Sequence, residues 1–351
     1  MNTETMTSWQ DFLAQQSKTN GPPVWQSSTA QALQTGFVAA LTDQALLLAT
    51  GEDAATFLHN QLTNDVEHLK DDQAKLACYC SPKGRMIASF LYWKTSEGIV
   101  LQLHQSIRPA IHKRLQMFIL RAKAKLQDIS TDQIVLGLGG TAAASVLSRW
   151  FSELPREAYS KIETPFGTLI RVSDANNIAR YQWSTSNAIG QEIWPLLQKE
   201  LAIVDASAWR LTNIQAGIPQ IIDKTQEHFV PQMVNFELIG GVNFKKGCYP
   251  GQEIVARSQY LGKLKRRMAL ARIVYDGDQP IMPGTEVFTS EEAAQACGMI
   301  VNAEWVSEDE CLCLVEIKVA DQEAGSIHLT SSTGATLTFL PLPYPVIDVT
   351  A

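Results

Sequence analysis

The chain has 351 residues, of which 45% are hydrophobic and 19% charged, and it carries a formal net charge of −7 at pH 7. This length exceeds one ordinary hydrophobic core, so we expect two or three packed units in a soluble globular protein. The negative charge argues against a protein that binds nucleic acid over its whole surface. Six cysteines in a chain of this length do not make a disulfide framework.

The first 23 residues are typical of a flexible polar leader with one short helical pattern at Trp9. They contain no early basic cluster and no apolar block before a cleavage site, so we expect no secretory signal. No charge-free apolar run reaches the ~18 residues that a membrane span needs. We therefore expect a cytoplasmic protein without membrane contacts.

Residues 24–133 form the first predicted unit. The pattern from Val38 alternates as in a strand, and residues 51–62 predict a helix with Thr50 as its N-cap. The chain then predicts a hairpin at 75–93 about "SPKG", a strand at 99–106, a helix at 107–120 and a strand at 122–129. The hairpin predicts a largely antiparallel sheet with helices on one side.

Residues 134–261 predict a second unit with a similar order of strands and helices, which suggests a pseudo-repeat. After residue 262 the helical period disappears, and short strands with frequent turns predict a small β-barrel over 262–351. The predicted fold class is therefore α+β, with two α+β halves and a C-terminal small β-barrel.

Two cysteine pairs have a spacing of two residues: Cys78 with Cys80, and Cys311 with Cys313. On strands this spacing places both thiols of a pair on one face. No C-x2-C motif or histidine accompanies them, so we interpret the four thiols as small buried hydrophobic side chains rather than zinc ligands. We predict no metal site.

The stretch "FKKGCYPGQE" at 244–253 combines features of a tight turn and a helix start. Gly247 and Gly251 permit backbone angles that other residues avoid. Pro250 suits the first position of a helix. The pattern therefore predicts a tight loop that leads directly into a helix.

This loop would place Cys248 just before a helix N-terminus and beside Lys245 and Lys246. All three influences favour the thiolate, which is nucleophilic, oxidisable and able to bind soft metals. No histidine lies near in sequence to act as its base, since His228 is twenty residues upstream. The residues alone leave a functional cysteine and a packed structural cysteine both open.

Residues 245–267 contain seven basic residues and one acidic residue, Glu253, so positive charge is concentrated in this segment. Such a segment suggests an anionic ligand or a phosphate backbone, although a solvated surface stripe is the alternative. Trp209 precedes a helical run and either supports a flat heteroaromatic ligand or packs in the core. The sequence has no G-x-G-x-x-G, Walker, G-x-S-x-G or H-E-x-x-H motif.

Four stretches together resemble one protein family. Residues 244–253 resemble the K-G-C-Y-x-G-Q-E signature of the YgfZ proteins, bacterial relatives of the aminomethyltransferase of the glycine cleavage system. Residues 51–66 are similar to their G-x-D-x-x-x-F-L-x-x-Q-x-T-x-D-V motif, and residues 78–86 to their hairpin around a Lys-Gly turn. Residues 209–219 and 229–247 resemble the segments that lead to the signature.

The resemblance implies two ferredoxin-like halves that enclose a tetrahydrofolate site and are followed by a C-terminal barrel. It implies a role in keeping iron–sulfur enzymes active, notably those that thiolate tRNA. The implied partners are thus folate and these enzymes, with tRNA reached indirectly, and we expect a monomer. In this family the signature cysteine, Cys248 here, matters for activity, and a tryptophan at the position of Trp209 lines the folate site. Further folate-binding candidates from the signature are Lys246, Gly247, Tyr249, Gly251, Gln252 and Glu253.

Two departures from the relatives bear on function. A second family tryptophan corresponds to Gln44 here, which removes one stacking contact with folate. Aminomethyltransferases place an aspartate on the strand after the hairpin turn, where this chain has Ala88 and Ser89. Because such an electrostatic group typically supplies ~10²–10³ of rate, its absence argues against glycine cleavage. A folate-dependent aminomethyl or methyl transferase and a direct tRNA-binding module using residues 245–267 are the alternative functions.

Overall fold

The computed structural model of the protein describes residues 8–20, 28–260, 264–275, 277, 280–291 and 295–346. The predicted boundary at 262 lies outside the described residues. No helix in these ranges is long and apolar enough to cross a membrane. The strands form three sheets of five, six and six strands, and helices pack on them.

Two helices precede the first strand, α1 (Trp9–Asn20) and α2 (Ser28–Thr35). Trp9 is buried, and its ring contacts that of Trp194 edge-on at 5.6 Å between centroids. The helical pattern predicted around Trp9 is present, and this part of the predicted leader is packed against the second half of the chain rather than loose.

The first sheet is antiparallel throughout and has the strand order β3-β4-β5-β2-β6. Its elements are β2 (Gln44–Thr50), α3 (Ala54–His59), β3 (Ala74–Cys80), β4 (Met86–Lys94), β5 (Ile99–His104), α4 (Arg108–Ile119) and β6 (Lys125–Asp128). The hairpin about "SPKG", the third strand, the following helix and the last strand were all predicted, and the structure confirms them.

The predicted N-cap of the first core helix is wrong. Thr50 ends β2, where it pairs with Lys125 of β6, and the chain then turns at Gly51 with a φ of 105°. The helix starts three residues later than predicted, with Asp53 at the N-cap position. The Asp53 carboxylate does not cap the helix but accepts a hydrogen bond from the Lys123 backbone N–H at 2.7 Å.

The second sheet repeats this arrangement, with the order β8-β9-β10-β7-β1-β11. Its elements are β7 (Gln133–Gly139), α5 (Ala143–Leu147), β8 (Lys161–Thr164), β9 (Gly167–Ala175), β10 (Ile178–Ser186), α6 (Asn187–Leu197) and β11 (Ala202–Val204). The order of strands and helices matches that of β2 to β6, which confirms the pseudo-repeat. One strand from earlier in the chain, β1 (Phe37–Ala40), lies between β7 and β11.

The third sheet contains the C-terminal strands in the order β16-β13-β14-β15-β12-β17. The remaining elements are α7 (Ala206–Gln215), α8 (Gln252–Tyr260), β12 (Arg266–Val274), β13 (Glu286–Thr289), β14 (Ala296–Trp305), β15 (Glu310–Lys318), α9 (Val319–Ala324), β16 (Ile327–Leu329) and β17 (Leu337–Leu340). The short strands were predicted correctly. The predicted barrel is a curled half-barrel sheet, whose edges meet at one isolated bridge between His328 and Thr336.

One hydrophobic core joins the three sheets. It takes buried side chains such as Trp93 from the first sheet, Ile170 from the second and Leu314 from the third. Phe236, from the long segment between α7 and α8, lies in the same core. Because apolar burial stabilises at roughly 25 cal/mol per Å², this shared core fixes the sheets against one another and determines which segments meet at the candidate site.

Candidate functional site

A small cavity of about 70 Å³ lies where the two halves of the repeat meet. Trp209 and Ser89 line it, and so do Gln44 and Gln102 from the first half and Gln182 from the second. No aspartate or glutamate lines this central cavity among the described residues. Its polar lining therefore consists of amides and hydroxyls.

The amides form one connected chain. Gln182 donates to the side-chain oxygen of Gln102, and Gln102 donates to Gln44 at 3.3 Å. Gln220 donates to the same Gln44 oxygen at 2.8 Å. Gln44, where the sequence analysis expects the relatives to have a tryptophan, thus ties the two halves together through hydrogen bonds.

Trp209 is almost fully buried and is held by the second sheet. A Cβ at Gly137 would lie only 2.4 Å from the indole ring, so glycine is needed there for the ring to approach the strand. The guanidinium carbon of Arg180 lies 4.9 Å from the ring centroid. The structure therefore places the predicted Trp209 at the central cavity, in a fixed position.

Ala88 and Ser89, the two candidate positions for the transferase aspartate, lie on opposite faces of β4. Ala88 packs in the core of the first half. Ser89 lines the central cavity, and its hydroxyl oxygen accepts a hydrogen bond from the Ile221 backbone N–H at 2.9 Å. Of these two side chains, Ser89 is the one that reaches the cavity. It is neutral, and its oxygen already accepts a hydrogen bond.

A larger cleft of about 750 Å³ adjoins the central cavity, since Leu76 and Tyr159 line both. Its lining also contains Phe244 and Lys245, which open the predicted signature, and Tyr260 at the end of α8. The cleft therefore extends from the wall of the central cavity to the residues just before Cys248.

The loop that carries Cys248 is packed on the hairpin turn of the first half. Gly251 has a φ of 79°, and a Cβ there would lie 2.4 Å from the Ser81 carbonyl oxygen and 2.7 Å from the Gly84 Cα. A Cβ at Gly84 would in turn lie 2.8 Å from the Cβ of Ile254. Because both glycines lack a side chain, the backbone of the Cys248 loop can touch the backbone of the hairpin turn. This contact requires a glycine in each of the two turns.

The predicted start of the following helix is wrong. Helix α8 begins at Gln252, two residues after Pro250, because Gly251 adopts a left-handed backbone conformation that interrupts a right-handed helix. Gly251 is thus confirmed as a residue with unusual backbone angles. Gly247 is not among the residues with positive φ, and a Cβ there would meet only Nε2 of His59, at 3.5 Å.

Lys246 reaches inward from the loop and holds the end of α3. Its ammonium donates to the carbonyl oxygens of His59 and Leu62, the second at 2.8 Å, and lies 4.9 Å from the centroid of the Tyr249 ring. Burial lowers the pKa of Lys246 to about 8, although the nearby charges of Asp65, Cys248 and Glu67 oppose this shift. The lysine therefore keeps its charge at neutral pH and loses its proton in mildly alkaline solution.

A histidine and two carboxylates lie beside this lysine. Nδ1 of His59 is 3.2 Å from Oδ1 of Asp65 and 3.7 Å from Oε2 of Glu67. Hydrogen bonds to His68 and its charge lower the pKa of Asp65, and they outweigh the effect of burial, which raises it. The sequence analysis missed His59, although the motif at 51–66 contains it, because only the fold brings residue 59 to residue 247.

Polar residues of the 51–66 motif also fix the segment that leads to the loop. Thr63 donates to the Gly241 carbonyl at 2.7 Å, and Asn64 donates to the Gly240 carbonyl at 2.7 Å. The Asn243 backbone N–H donates to the Thr63 carbonyl at 2.9 Å. Three segments that are far apart in sequence, 51–66, 78–86 and 244–253, thus converge on one loop.

Within that loop Cys248 is exposed, whereas Tyr249 is buried. Burial raises the pKa of the Tyr249 hydroxyl. Cys78 and Cys80 lie in the core with their sulfurs 3.7 Å apart, and Cys311 and Cys313 are also buried. The prediction that each pair occupies one buried face is confirmed by the clusters in which they lie.

Three of the seven basic residues in 245–267 are paired with carboxylates in the fold. Arg267 pairs with buried Glu237, Arg266 with Glu316 at 2.9 Å, and Arg257 with Glu253 at 2.6 Å. Lys246 points inward, and residue 263 lies outside the described residues. The segment therefore offers a direct tRNA-binding module fewer free cations than its sequence suggests.

The predicted site residues thus fall into two groups. Trp209 lines the central cavity. The signature residues 246–253 do not line it, and the cleft that adjoins the cavity ends at Lys245. Gln252 begins α8, and Glu253 is exposed beside Arg257. Among the described residues, no group of three or more His, Cys, Asp or Glu side chains is arranged to hold a metal ion.

Comparisons with known proteins agree on one group of relatives. The family described as the GCVT N-terminal domain matches residues 25–192. The tRNA-modifying protein YgfZ of Enterobacter sp. (strain 638) is 30% identical over 307 residues, which cover 87% of this chain and 92% of that protein. The tRNA-modifying protein YgfZ of Escherichia coli O157:H7 (strain EC4115 / EHEC) is 28% identical over 314 residues, with the same two shares.

A solved structure has the same fold. The glycine cleavage system aminomethyltransferase T from Bartonella henselae superposes with a TM-score of 0.72 at 15% identity. The match covers 91% of this chain and 89% of that one, so it includes all three sheets.

Proposed function

Because the chain belongs to the YgfZ family, we propose that it is a folate-binding accessory protein that supports tRNA modification. In this proposal it keeps iron–sulfur enzymes that thiolate tRNA active, and Cys248 is its functional thiol. Tetrahydrofolate is the cofactor, and the iron–sulfur enzymes are the protein partners.

The observation that carries the thiol assignment is the construction of the Cys248 loop. Gly251 is locked against Gly84, and Lys246 is bonded to the end of α3, yet the thiol between these anchors is exposed. A structural cysteine would be buried, as the other five are. The loop therefore holds an accessible sulfur beside Lys246.

The chemistry of the central cavity suits a pterin. The pterin ring carries both N–H donors and a carbonyl acceptor on one edge, and the amides of Gln44, Gln102 and Gln182 offer both kinds of partner. Trp209 would form an apolar wall for the ring. When bound, tetrahydrofolate would supply a carrier for a one-carbon unit.

The size of the two spaces indicates how folate would be divided between them. The cavity of about 70 Å³ is smaller than the ~150 Å³ that takes up a single benzene ring, so the glutamine chain must move to admit a pterin. The adjoining cleft of about 750 Å³ has the size of a typical ligand site. We therefore place the remainder of the folate in the cleft, with its far end toward Lys245.

The alternatives have less support. A transferase that works like aminomethyltransferase needs an anionic group at the folate nitrogen, and the described lining of the central cavity offers only Ser89 at that position. Direct tRNA binding through 245–267 would require free cations, whereas Arg266 and Arg267 are paired with glutamates.

The thiol role is tested in cells that lack the gene and are complemented with variants. We expect Cys248→Ala to lower thiolated nucleosides in tRNA at least tenfold, as measured by mass spectrometry of digested tRNA. The melting temperature should stay unchanged because the side chain is exposed. Lys83→Ala, an exposed change in the hairpin turn on which the loop packs, is the control and should retain modification. Full modification with Cys248→Ala would disprove the thiol role.

The folate role is tested separately by calorimetric titration with tetrahydrofolate. We expect Gln182→Leu to weaken binding at least tenfold, because the pterin loses an amide partner in a buried site. Cys248→Ala should bind folate as the wild type does. If the wild-type protein shows no saturable binding, the folate part of the proposal fails while the thiol part still stands.

A further inference from the structure

The arginine that stacks on Trp209 is buried and has no acidic partner among the described residues. Arg180, on β10, has no exposed surface. Buried charges in proteins are normally paired with an opposite charge or with a metal, because an isolated charge in an apolar interior is strongly disfavoured. No aspartate or glutamate lies within ion-pair distance of Arg180 among the described residues.

The hydrogen bonds of this guanidinium all go to neutral oxygens. Nε donates to the Ser173 carbonyl at 2.9 Å, and Nη1 donates to the side chains of Thr212 at 2.7 Å and Asn213 at 2.8 Å. Nη2 is buried and has no hydrogen-bond partner in the part of the chain that the structure describes. A buried donor without a partner is costly, so its persistence calls for an acceptor.

Nearby charges do not replace the missing partner. Asp174 is exposed, and its carboxylate is bonded to Arg171. Tyr159 is a neutral phenol below its pKa, which burial raises. Burial lowers the pKa of Arg180 to about 10, so the guanidinium still carries its charge at neutral pH.

Arg180 lines a separate cavity of about 150 Å³. Thr212, which Arg180 contacts, also lines it, as do the polar residues Gln34, Asn176 and Gln215. The described lining contains no acidic residue. A cavity that takes up benzene has a similar volume, so a molecule of about five or six heavy atoms fits.

We propose that this cavity binds a small oxyanion, a carboxylate or a phosphate, whose entry shifts the cavity wall so that one of its oxygens accepts a hydrogen bond from Nη2 of Arg180. Because Nε and Nη1 are already bonded, the arginine cannot form the two-pronged contact that it usually makes with carboxylates. The site therefore recognises a single oxygen, and the amides of Gln34 and Gln215 are available to the others.

The anion site lies behind the tryptophan of the central cavity. Arg180 is stacked on Trp209, and Trp209 lines the central cavity but not this one. An anion that holds Arg180 would thereby also hold the indole. The inference does not depend on folate binding, since it rests on Arg180 and its own cavity.

The test measures whether inorganic phosphate and acetate bind at constant ionic strength, with chloride as the reference anion. We expect saturable stabilisation of the wild-type protein in thermal unfolding, and an affinity at least tenfold weaker in Arg180→Gln. Arg171→Gln, which removes a neighbouring arginine that does not line the cavity, should bind the anion as the wild type does. Saturation by phosphate but not acetate, or the reverse, would identify which oxyanion the site prefers.

A second measurement covers the case in which Arg180→Gln does not fold. Gln215→Leu changes the wall of the cavity at a half-buried position and should weaken binding of the same anion severalfold. Crystals of the wild-type protein soaked in selenate should show anomalous scattering within about 4 Å of Nη2 of Arg180. No saturable stabilisation of the wild type together with no anomalous peak would overturn the proposal.

Discussion

Cys248 and the pair Cys78 and Cys80 pack against the same part of the molecule and have opposite environments. Cys248 is exposed on its loop, whereas Cys78 and Cys80 are buried with their sulfurs 3.7 Å apart. Tyr249 follows Cys248 in the chain and belongs to the same core cluster as the buried pair. The residue next to the accessible thiol therefore packs in the same core as the two inaccessible ones.

The difference teaches that backbone packing, and not the number of nearby thiols, determines which sulfur can react. The contact of Cys80 with Cys78 and its burial raise the pKa of the Cys80 thiol, so it stays protonated. Cys248 has the same chemistry, but its loop is held outward by Gly251 and Lys246. The comparison can be tested by breaking each of these supports in turn.

The largest expected effect is in thiol reactivity. Under native conditions we expect one thiol, Cys248, to react with a disulfide reagent at least ~10³-fold faster than the others, because the buried thiols must wait for local or global opening. The time course of thiol release should show one fast group out of six cysteines, and all six after denaturation.

Cys248→Ala is the control, since it should remove the fast phase and leave the slow one unchanged. A fast phase of two or three thiols would mean that Cys78 and Cys80 open easily. The contrast between the two environments would then be wrong.

The second largest effect is expected from Gly251→Ala. A Cβ at Gly251 meets the Ser81 carbonyl and the Gly84 backbone, and the φ of 79° adds strain for any other residue. Left-handed strain costs roughly 1–2 kcal/mol and overpacking about 1–3 kcal/mol, so we expect the free energy of unfolding to fall by about 3 kcal/mol in denaturant titration.

Gly240→Ala is a matched control because Gly240 has nearly the same φ, 80°, and a Cβ there would meet no described atom within 4 Å. It should cost only the strain, about 1 kcal/mol. Equal losses in the two variants would show that the contact between the loop and the hairpin contributes nothing.

Much of the fold was predictable from local patterns. The strands of the first half have alternating or apolar runs, and "SPKG" is a strong turn signal, so β3 and β4 were predicted close to their observed bounds. The errors at Thr50 and Pro250 have one cause: Gly51 and Gly251 take left-handed conformations that delay the following helix. A glycine in the sequence permits such a conformation but does not reveal whether it occurs.

The candidate site was predictable only in part. The signature identified Cys248, but the partners of the loop lie more than 150 residues away, at His59 and Gly84, and no local pattern connects them. The same limit applies to charge. Arg267 belongs to a basic segment in the sequence, yet the fold pairs it with Glu237. Long-range pairing of this kind depends on how the sheets pack, which periodicity does not encode.

The third prediction concerns Lys246 and pH. The unfolded chain keeps this proton up to about pH 10.4, whereas the pKa in the folded protein is about 8. Between these values the unfolded state binds more protons at this position, so the lysine makes the free energy of unfolding rise with pH. The rise cannot exceed about 1.4 kcal/mol per pH unit for one proton, and below pH 8 it disappears.

We expect the stability of the wild type relative to Lys246→Met to increase between pH 8 and 9.5 in denaturant titrations. Subtracting the variant removes the titration of other groups. Lys245→Met, an exposed change at the adjacent position, should show no such difference. A difference that stays constant over this range would mean that Lys246 keeps its proton in the folded protein.

The smallest effect is expected at the far end of the signature, where the loop passes into the exposed surface of α8. Glu253 and Arg257 form an exposed ion pair one helical turn apart, and such pairs contribute about 0.3–0.5 kcal/mol. Glu253→Gln should therefore lower the free energy of unfolding by at most ~0.5 kcal/mol, and less at high salt. It should leave the fast reaction of Cys248 unchanged, because the anchors at Gly251 and Lys246 remain. If Glu253→Gln instead lowered the free energy of unfolding as much as Gly251→Ala, the surface of α8 would also help to hold Cys248 outward.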